Sequence, residues 1–157
     1  MTTSSPRHIA TLLGAPLLAA LLGACAASPT APTTLYERLG GAPRVNAVVD
    51  RMVDRAAVDP RTSRSFDGVK LQTLKESLAQ QICSISGGNC RYEGETMARS
   101  HADLKIVAGE FDALVGILRE ELDRSGACAA EKNELLRLLA PMKRDIVGGS
   151  PGAAARS

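Results

Sequence analysis

The sequence predicts an all-α domain, and three observations carry that expectation. Aromatic residues are scarce: there is no Trp, and Tyr36, Phe66, Tyr92 and Phe111 supply every ring in 157 residues. A β-sandwich or barrel leans on aromatic and β-branched residues, so that class is disfavoured. Apolar residues recur at helical spacing over most of the central chain. No segment alternates apolar and polar residues as a half-buried strand does. The length suits one domain, and 45% hydrophobic with 23% charged residues is an ordinary globular balance. A formal net charge of +2 gives no basis for a nucleic-acid surface. Two histidines, His8 and His101, are too few for a multi-histidine metal site.

The N-terminal stretch reads as an address. Residues 9–22 form a charge-free run behind Arg7 and His8, as long as a secretory signal core and short of the ~20 residues a membrane-spanning helix needs. Leu22-Gly23-Ala24-Cys25 follows, and it resembles the lipobox of bacterial lipoproteins. That resemblance implies a signal peptide over 1–24, cleavage after Ala24 and lipid on the Cys25 thiol. An ordinary signal peptide cut at another small residue stays open. Either way the expected location is the cell envelope or periplasm, with Cys25 as the sole membrane attachment. Residues 25–33, rich in Ala, Pro and Thr, read as a tether. The folded domain is expected over 34–147, and 148–157 (GGSPGAAARS) reads as a loose tail.

Within the domain, Thr34 and Glu37 fit a capping box that starts a short helix, stopped at Gly40-Gly41. Pro43 suits the first position of a second helix, whose apolar stripe is Val45, Val48, Val49, Met52, Val53 and Ala56. Asp59-Pro60 ends it. A turn over 61–65 leads to Phe66, and Asp67-Gly68 breaks the chain again. The third helix carries Leu71, Leu74, Leu78, Ile82 and Ile85 and closes at Gly87-Gly88. After a loop over 89–95, Thr96 caps a short helix bearing Met97 and His101. Phe111, Leu114, Val115, Leu118 and Leu122 form the next stripe, ended at Ser125-Gly126. Leu135, Leu136, Leu138, Leu139, Met142 and Ile146 form the last, where Pro141 predicts a kink or a split.

The order of short motifs then narrows the class. Residues 35–41 (LYERLGG), Phe66-Asp67-Gly68, Gly87-Gly88, and Tyr92-Glu93-Gly94 with Met97 four residues before His101 are similar to the group I truncated haemoglobin family. So is the closing segment 139–147 (LAPMKRDIV). The resemblance covers about residues 35–147. It implies a two-over-two helical globin holding haem b, with His101 as the proximal ligand to iron. The chemistry agrees: haem iron needs a good axial donor, imidazole is the usual globin choice, and removing the leader takes His8 away. By the same resemblance Phe66 packs on the porphyrin face, and Met97, Ile106 and Phe111 are apolar wall positions. Glycines 87, 88 and 94 match motifs that allow a very short proximal helix. Lys75, next to Leu74, is either a propionate contact or a solvated lysine.

The departures from the family bear on mechanism. Many members place a Tyr in the second helix and a Gln in the third, both serving the bound gas. Counting without gaps from Phe66, those positions are Val53 and Leu78 here, with Leu74 also facing the ligand. Losing a donor to a polar ligand forfeits roughly 1–3 kcal/mol, about ten- to a hundredfold in affinity. Fast O2 loss and ready oxidation are therefore expected relative to Tyr-bearing members, with CO little affected. The implied ligands are O2, NO and CO, served by an unidentified reductase that keeps iron ferrous. Gas carriage, sensing and NO dioxygenase-type turnover stay open, while the missing distal donor argues against peroxidase chemistry. Asp103 and Lys105 also stand where relatives often carry small residues.

With Cys25 given to lipid, Cys83, Cys90 and Cys128 remain. In an oxidising compartment a Cys83–Cys90 disulfide across the Gly87-Gly88 break is expected, stabilising by about 2 kcal/mol because the loop is short. Two buried thiols are the alternative. Cys128 is left as a free thiol or an intermolecular partner. Zinc is not expected, because Cys83-x6-Cys90 lacks two further nearby ligands. Two other readings stand beside the globin. One is a haem-free helical envelope lipoprotein that docks another protein and is indifferent to His101→Ala. The other is a thiol redox module at Cys83 and Cys90, which lacks CxxC spacing and, apart from Arg91, basic flanks.

Overall fold

A computed structural model describes Met1 and residues 33–148. The expected signal peptide, the Cys25 lipidation site and nearly all of the tether and tail lie outside the described residues. The helices run in the order α1 (Leu35–Arg38), α2 (Gly41–Val58), α3 (Leu71–Ile85), α4 (Met97–His101), α5 (Ala108–Arg124), α6 (Ala129–Leu139) and α7 (Lys143–Ile146). Short 3-10 turns occupy Ser63–Phe66 and Ala140–Met142. No strand occurs among the described residues.

Local chemistry sets most of these boundaries. At α1 the Glu37 N–H donates to the Thr34 hydroxyl at 3.2 Å and the Thr34 N–H donates to the Glu37 carboxylate at 3.0 Å, which satisfies two orphan amides. The next helix departs from expectation: α2 begins at Gly41, two residues before Pro43. Gly40 (φ 94°) and Gly41 (φ 63°) take left-handed conformations that glycine adopts at little cost. They turn the chain straight into α2, and Pro43 falls in the first turn, where its missing N–H has no helical acceptor to lose. Pro141 splits the final helix: α6 stops at Leu139, a 3-10 turn spans Ala140–Met142, and α7 resumes at Lys143.

The core forms around α2. Val49, Val53 and Ala56 are completely buried, because α2 packs against both α3 and α5. Ile82 of α3, Ile117, Leu118 and Leu122 of α5, and Leu135 and Leu136 of α6 close the cluster. Each such side chain stabilises by about 1.5–3 kcal/mol relative to exposure. The Thr62 hydroxyl seals the end of α2 by donating to the Ala56 carbonyl at 2.6 Å. At its other end α1 leans on α2 and α6, where Arg38 pairs with Glu131 and Glu134. A buried charge stands beside the core: Glu121 of α5 is fully enclosed and accepts from Arg51 (2.8 Å) and Arg55 (2.6 Å) of α2, and from Arg124. No described helix is long and apolar enough to cross a membrane.

Candidate functional site

The helix that carries His101 is five residues long and is built by its cap. The Thr96 hydroxyl accepts from the Arg99 N–H at 3.3 Å, and α4 rests on α7. Within it His101 Nδ1 lies 2.7 Å from the Met97 carbonyl oxygen. A carbonyl accepts and never donates, so Nδ1 carries the hydrogen. In the tautomer with its hydrogen on Nδ1, the other nitrogen, Nε2, carries the free lone pair. A backbone carbonyl that fixes tautomer and ring direction in this way is the usual outer support of a metal-bound imidazole. The half-buried ring suits a ligand that enters from one side.

The apolar residues expected around a haem share one property. Phe66, Leu74, Leu78, Met97, Ile106 and Phe111 are all half-buried, in contrast to the closed stripe of α2. Phe66, Leu74 and Leu78 pack on the core cluster with their remaining surface open, and the Lys143 ammonium sits 5.4 Å from the centre of the Phe111 ring. Large apolar side chains left half-open are what a flat, mostly apolar group would cover. A single imidazole is also the right protein donor for an iron whose in-plane ligands come with the porphyrin. Among the described residues no group of three or more His, Cys, Asp or Glu is placed to hold a bare metal ion. The residues present therefore fit haem.

The other expected positions divide. Val53 is completely buried against the core. The Lys75 ammonium pairs with Asp54 of α2 at 2.7 Å and lines an open cleft of about 560 Å3 with Tyr36, Asp50 and Glu76. Cys83 and Cys90 are joined by a disulfide with Cα atoms 5.8 Å apart, closing the loop that leads toward α4. Gly88 lies inside that loop, where an added Cβ would stand 2.5 Å from Tyr36 Cδ1 and 2.6 Å from Cys83 Sγ. Cys128, the residue before α6, is also disulfide-bonded, so the expected free thiol is not found there.

Residues that the sequence did not single out complete the site. Gln81 of α3 is buried, and its amide nitrogen donates to the Met142 sulfur at 3.4 Å and the Met97 sulfur at 3.7 Å. A polar residue one turn after Leu78 in an otherwise apolar stripe was the signal. Arg64 spans from the Phe66 turn to the chain beyond His101. It donates to Glu110 and, at 3.3 and 3.4 Å, to the carbonyls of Leu104 and Lys105. Lys105 has a φ of 48°, an uncommon conformation for a residue with a side chain. The guanidinium braces this segment. Glu110 completes the brace by accepting from the Val107 N–H at 2.9 Å and the Ser65 hydroxyl at 3.2 Å.

An all-helical fold with a capped five-residue helix presenting one imidazole beside a half-open apolar face defines a truncated, two-over-two globin. The bacterial-like globin family model matches residues 34–147. The chain is 30% identical over 115 residues to a group 1 truncated haemoglobin of Nostoc commune, covering 73% of this chain and 98% of that one. It is 27% identical over 121 residues to the group 1 truncated haemoglobin of Mycolicibacterium paratuberculosis, covering 77% and 89%. Among solved structures, the Fe(III) form of truncated haemoglobin from Tetrahymena pyriformis matches with a TM-score of 0.71 at 24% identity, over 74% of this chain and 99% of that one. The 2/2 haemoglobin from Synechococcus sp. PCC 7002, in the cyanomet state with covalently attached haem, matches at 0.69 with 24% identity, over 73% and 98%. The chain belongs to the bacterial-like globin family.

Proposed function

We propose that the chain binds haem b through His101 and takes up a diatomic gas there, O2, NO or CO, outside the cytoplasm. The observation that carries this reading is the 2.7 Å hydrogen bond from His101 Nδ1–H to the Met97 carbonyl, which leaves Nε2 as a donor. Bound there, haem supplies reversible ligation of small gases at its iron. The residues of the chain do the rest. His101 would hold the iron through its Nε2 lone pair, and the Met97 carbonyl holds its tautomer. Phe66, Ile106 and Phe111 cover apolar porphyrin surface and exclude water. Val53, Leu74 and Leu78 give the gas an apolar surrounding, so a polar ligand is released quickly. Carriage of gas is the simplest activity of such a pocket, and NO turnover requires the reductase named above.

The test is a spectrum of the purified full chain with haemin, before and after reduction and CO. A sharp Soret band that shifts with CO and is lost in His101→Ala is the expected result. A colourless protein refutes the proposal and favours the haem-free docking reading.

Lipid anchoring at Cys25 rests on the charge-free run and the Leu-Gly-Ala-Cys motif. The mass of the mature N-terminal peptide tests it: Cys25 carrying diacylglycerol is the expected result, and an unmodified Cys25 refutes it.

A further inference from the structure

We propose that the Cys83–Cys90 disulfide is a thiol-exchange site, reduced by a dithiol that enters the open cleft along α2 and α3, and that its state sets how firmly the helix of His101 is held. The second half rests on the haem reading above, and the first does not. Cys83 and Cys90 both line that cleft of about 560 Å3. Lys75 and Arg91 balance Asp50 and Glu76 on its walls, so a dithiol of either charge is admitted. Cys83 is buried, whereas Cys90 lies in the loop after α3 and is exposed. An exposed sulfur opens a disulfide to exchange, because a thiolate attacks it directly. The thiolate bonds to Cys90 Sγ, the Cys83–Cys90 bond breaks, and its electron pair leaves on Cys83 Sγ, which takes up a proton. The second thiolate of the dithiol then displaces Cys90 Sγ. Two thiols form on the protein, and the dithiol becomes a disulfide.

The position of the bond gives its opening a local effect. It joins residues only seven apart in the chain, so it closes a short loop and contributes little to overall stability. The fold should survive its reduction. What the bond holds is the chain that leads to α4. Residues 91–95 are also tied to α3 by the Glu93 N–H, which donates to the Gln80 amide oxygen at 3.3 Å. The Gln81 amide reaches Met97 only through a weak contact to sulfur. A five-residue helix is far below the ~12 residues at which a helix persists by itself in water. The place of α4 therefore depends on how its ends are held. Its first residue is Met97, whose carbonyl orients His101. Opening the disulfide loosens that frame, and haem is released more readily.

The experiment treats the full chain, loaded with haemin, with dithiothreitol under native conditions and then removes the reagent. Alkylation and peptide mass should find thiols at Cys83 and Cys90, with the helical circular dichroism unchanged. Haemin transfer to an apoglobin acceptor should then be about tenfold faster. The Fe–His stretch of the ferrous protein should shift as well. The double variant Cys83→Ser, Cys90→Ser should transfer haemin at the reduced chain's rate with or without dithiothreitol, which separates this bond from the disulfide at Cys128. Cysteines 83 and 90 that stay bonded until urea unfolds the chain overturn the exchange site. Thiols at both positions with an unchanged transfer rate and stretch overturn the control of His101. A parent chain that takes up no haemin removes the haem reading and that control together, while thiols at Cys83 and Cys90 still uphold the exchange site.

Discussion

Arg64 grips Glu110 with two parallel hydrogen bonds, Nε to Oε1 at 3.0 Å and Nη2 to Oε2 at 2.6 Å, across 46 residues of chain. The pair joins the turn that holds Phe66 to the segment that follows His101. Glu110 also caps α5 through the Val107 N–H. Its carboxyl is held below the ordinary range, first by the Arg64 hydrogen bond and then by that backbone N–H.

Glu110→Ala removes a cap and an ion pair together. We expect a loss of about 1–2 kcal/mol in urea unfolding and faster transfer of haemin to an apoglobin acceptor. Arg64→Lys should recover part of the stability at most, because an ammonium cannot reproduce the fork. Transfer at the parental rate in Glu110→Ala would show that the brace does not hold the site.

Glu121 predicts the acid behaviour of the fold. Burial pushes its carboxyl up, but the hydrogen bonds from Arg55 and Arg51 and the charge of Arg124 outweigh that, and the net shift is downward. A carboxyl lower in the folded than in the unfolded chain contributes stability above its unfolded value, and that stability is lost as pH falls through the folded one. Glu110 acts in the same direction, as does Asp59, drawn down to about 2 by Arg61. The thermal midpoint should therefore hold steady near neutral pH and fall below about pH 5. Glu121→Gln should lower the neutral plateau and flatten the acid limb. An acid limb as steep as the parent's would contradict this account.

Gly88→Ala and reduction of the disulfide probe the same loop by different physics. A methyl at 88 must displace the Tyr36 ring and Cys83 Sγ, and overpacking of this kind costs about 1–3 kcal/mol. Reduction of Cys83–Cys90 should cost about 2 kcal/mol, because it frees a short loop. With Gly88→Ala the cost of reduction should shrink, since the loosened loop relieves the clash. Strictly additive effects in urea unfolding would show that the methyl and the disulfide do not meet.

In the proposed pocket a hydrogen-bond donor to the gas can be added at one position and not at the other. Val53 is completely buried, so Val53→Tyr should overpack the core and lower stability by about 1–3 kcal/mol. Leu78 is half-buried, and Leu78→Gln should slow O2 dissociation by about ten- to a hundredfold. Stopped-flow O2 release from the haem-loaded variant measures this. A rate equal to the parent's would mean that position 78 does not face the gas.

Much of the fold was legible because its signals are short-range. The Thr34–Glu37 box, the Thr96 cap and the break at Pro141 each act within a few residues, and each appears where the sequence put it. The start of α2 was not legible in the same way. Pro43 reads as a first helical residue, yet the positive φ angles of Gly40 and Gly41 start the helix before it. At the site, His101 stood out as the sole histidine after residue 8. Gln81 was hidden because its sulfur partners lie 16 and 61 residues away. The partner of Lys75 was hidden for the same reason, since Asp54 lies on another helix.

Composition, periodicity and caps alone established an all-helical domain, its breaks, and an imidazole at position 101 on a short capped helix. These depend on hydrogen bonds and side-chain spacing inside one helical turn. The tertiary structure decided that Arg64 braces the segment after His101, that Glu121 is buried among three arginines, and that Gln81 lies between two sulfurs. Each of those outcomes needs segments far apart in the chain to meet. Their energies come from desolvation and ion pairing at the contact, which no local pattern encodes.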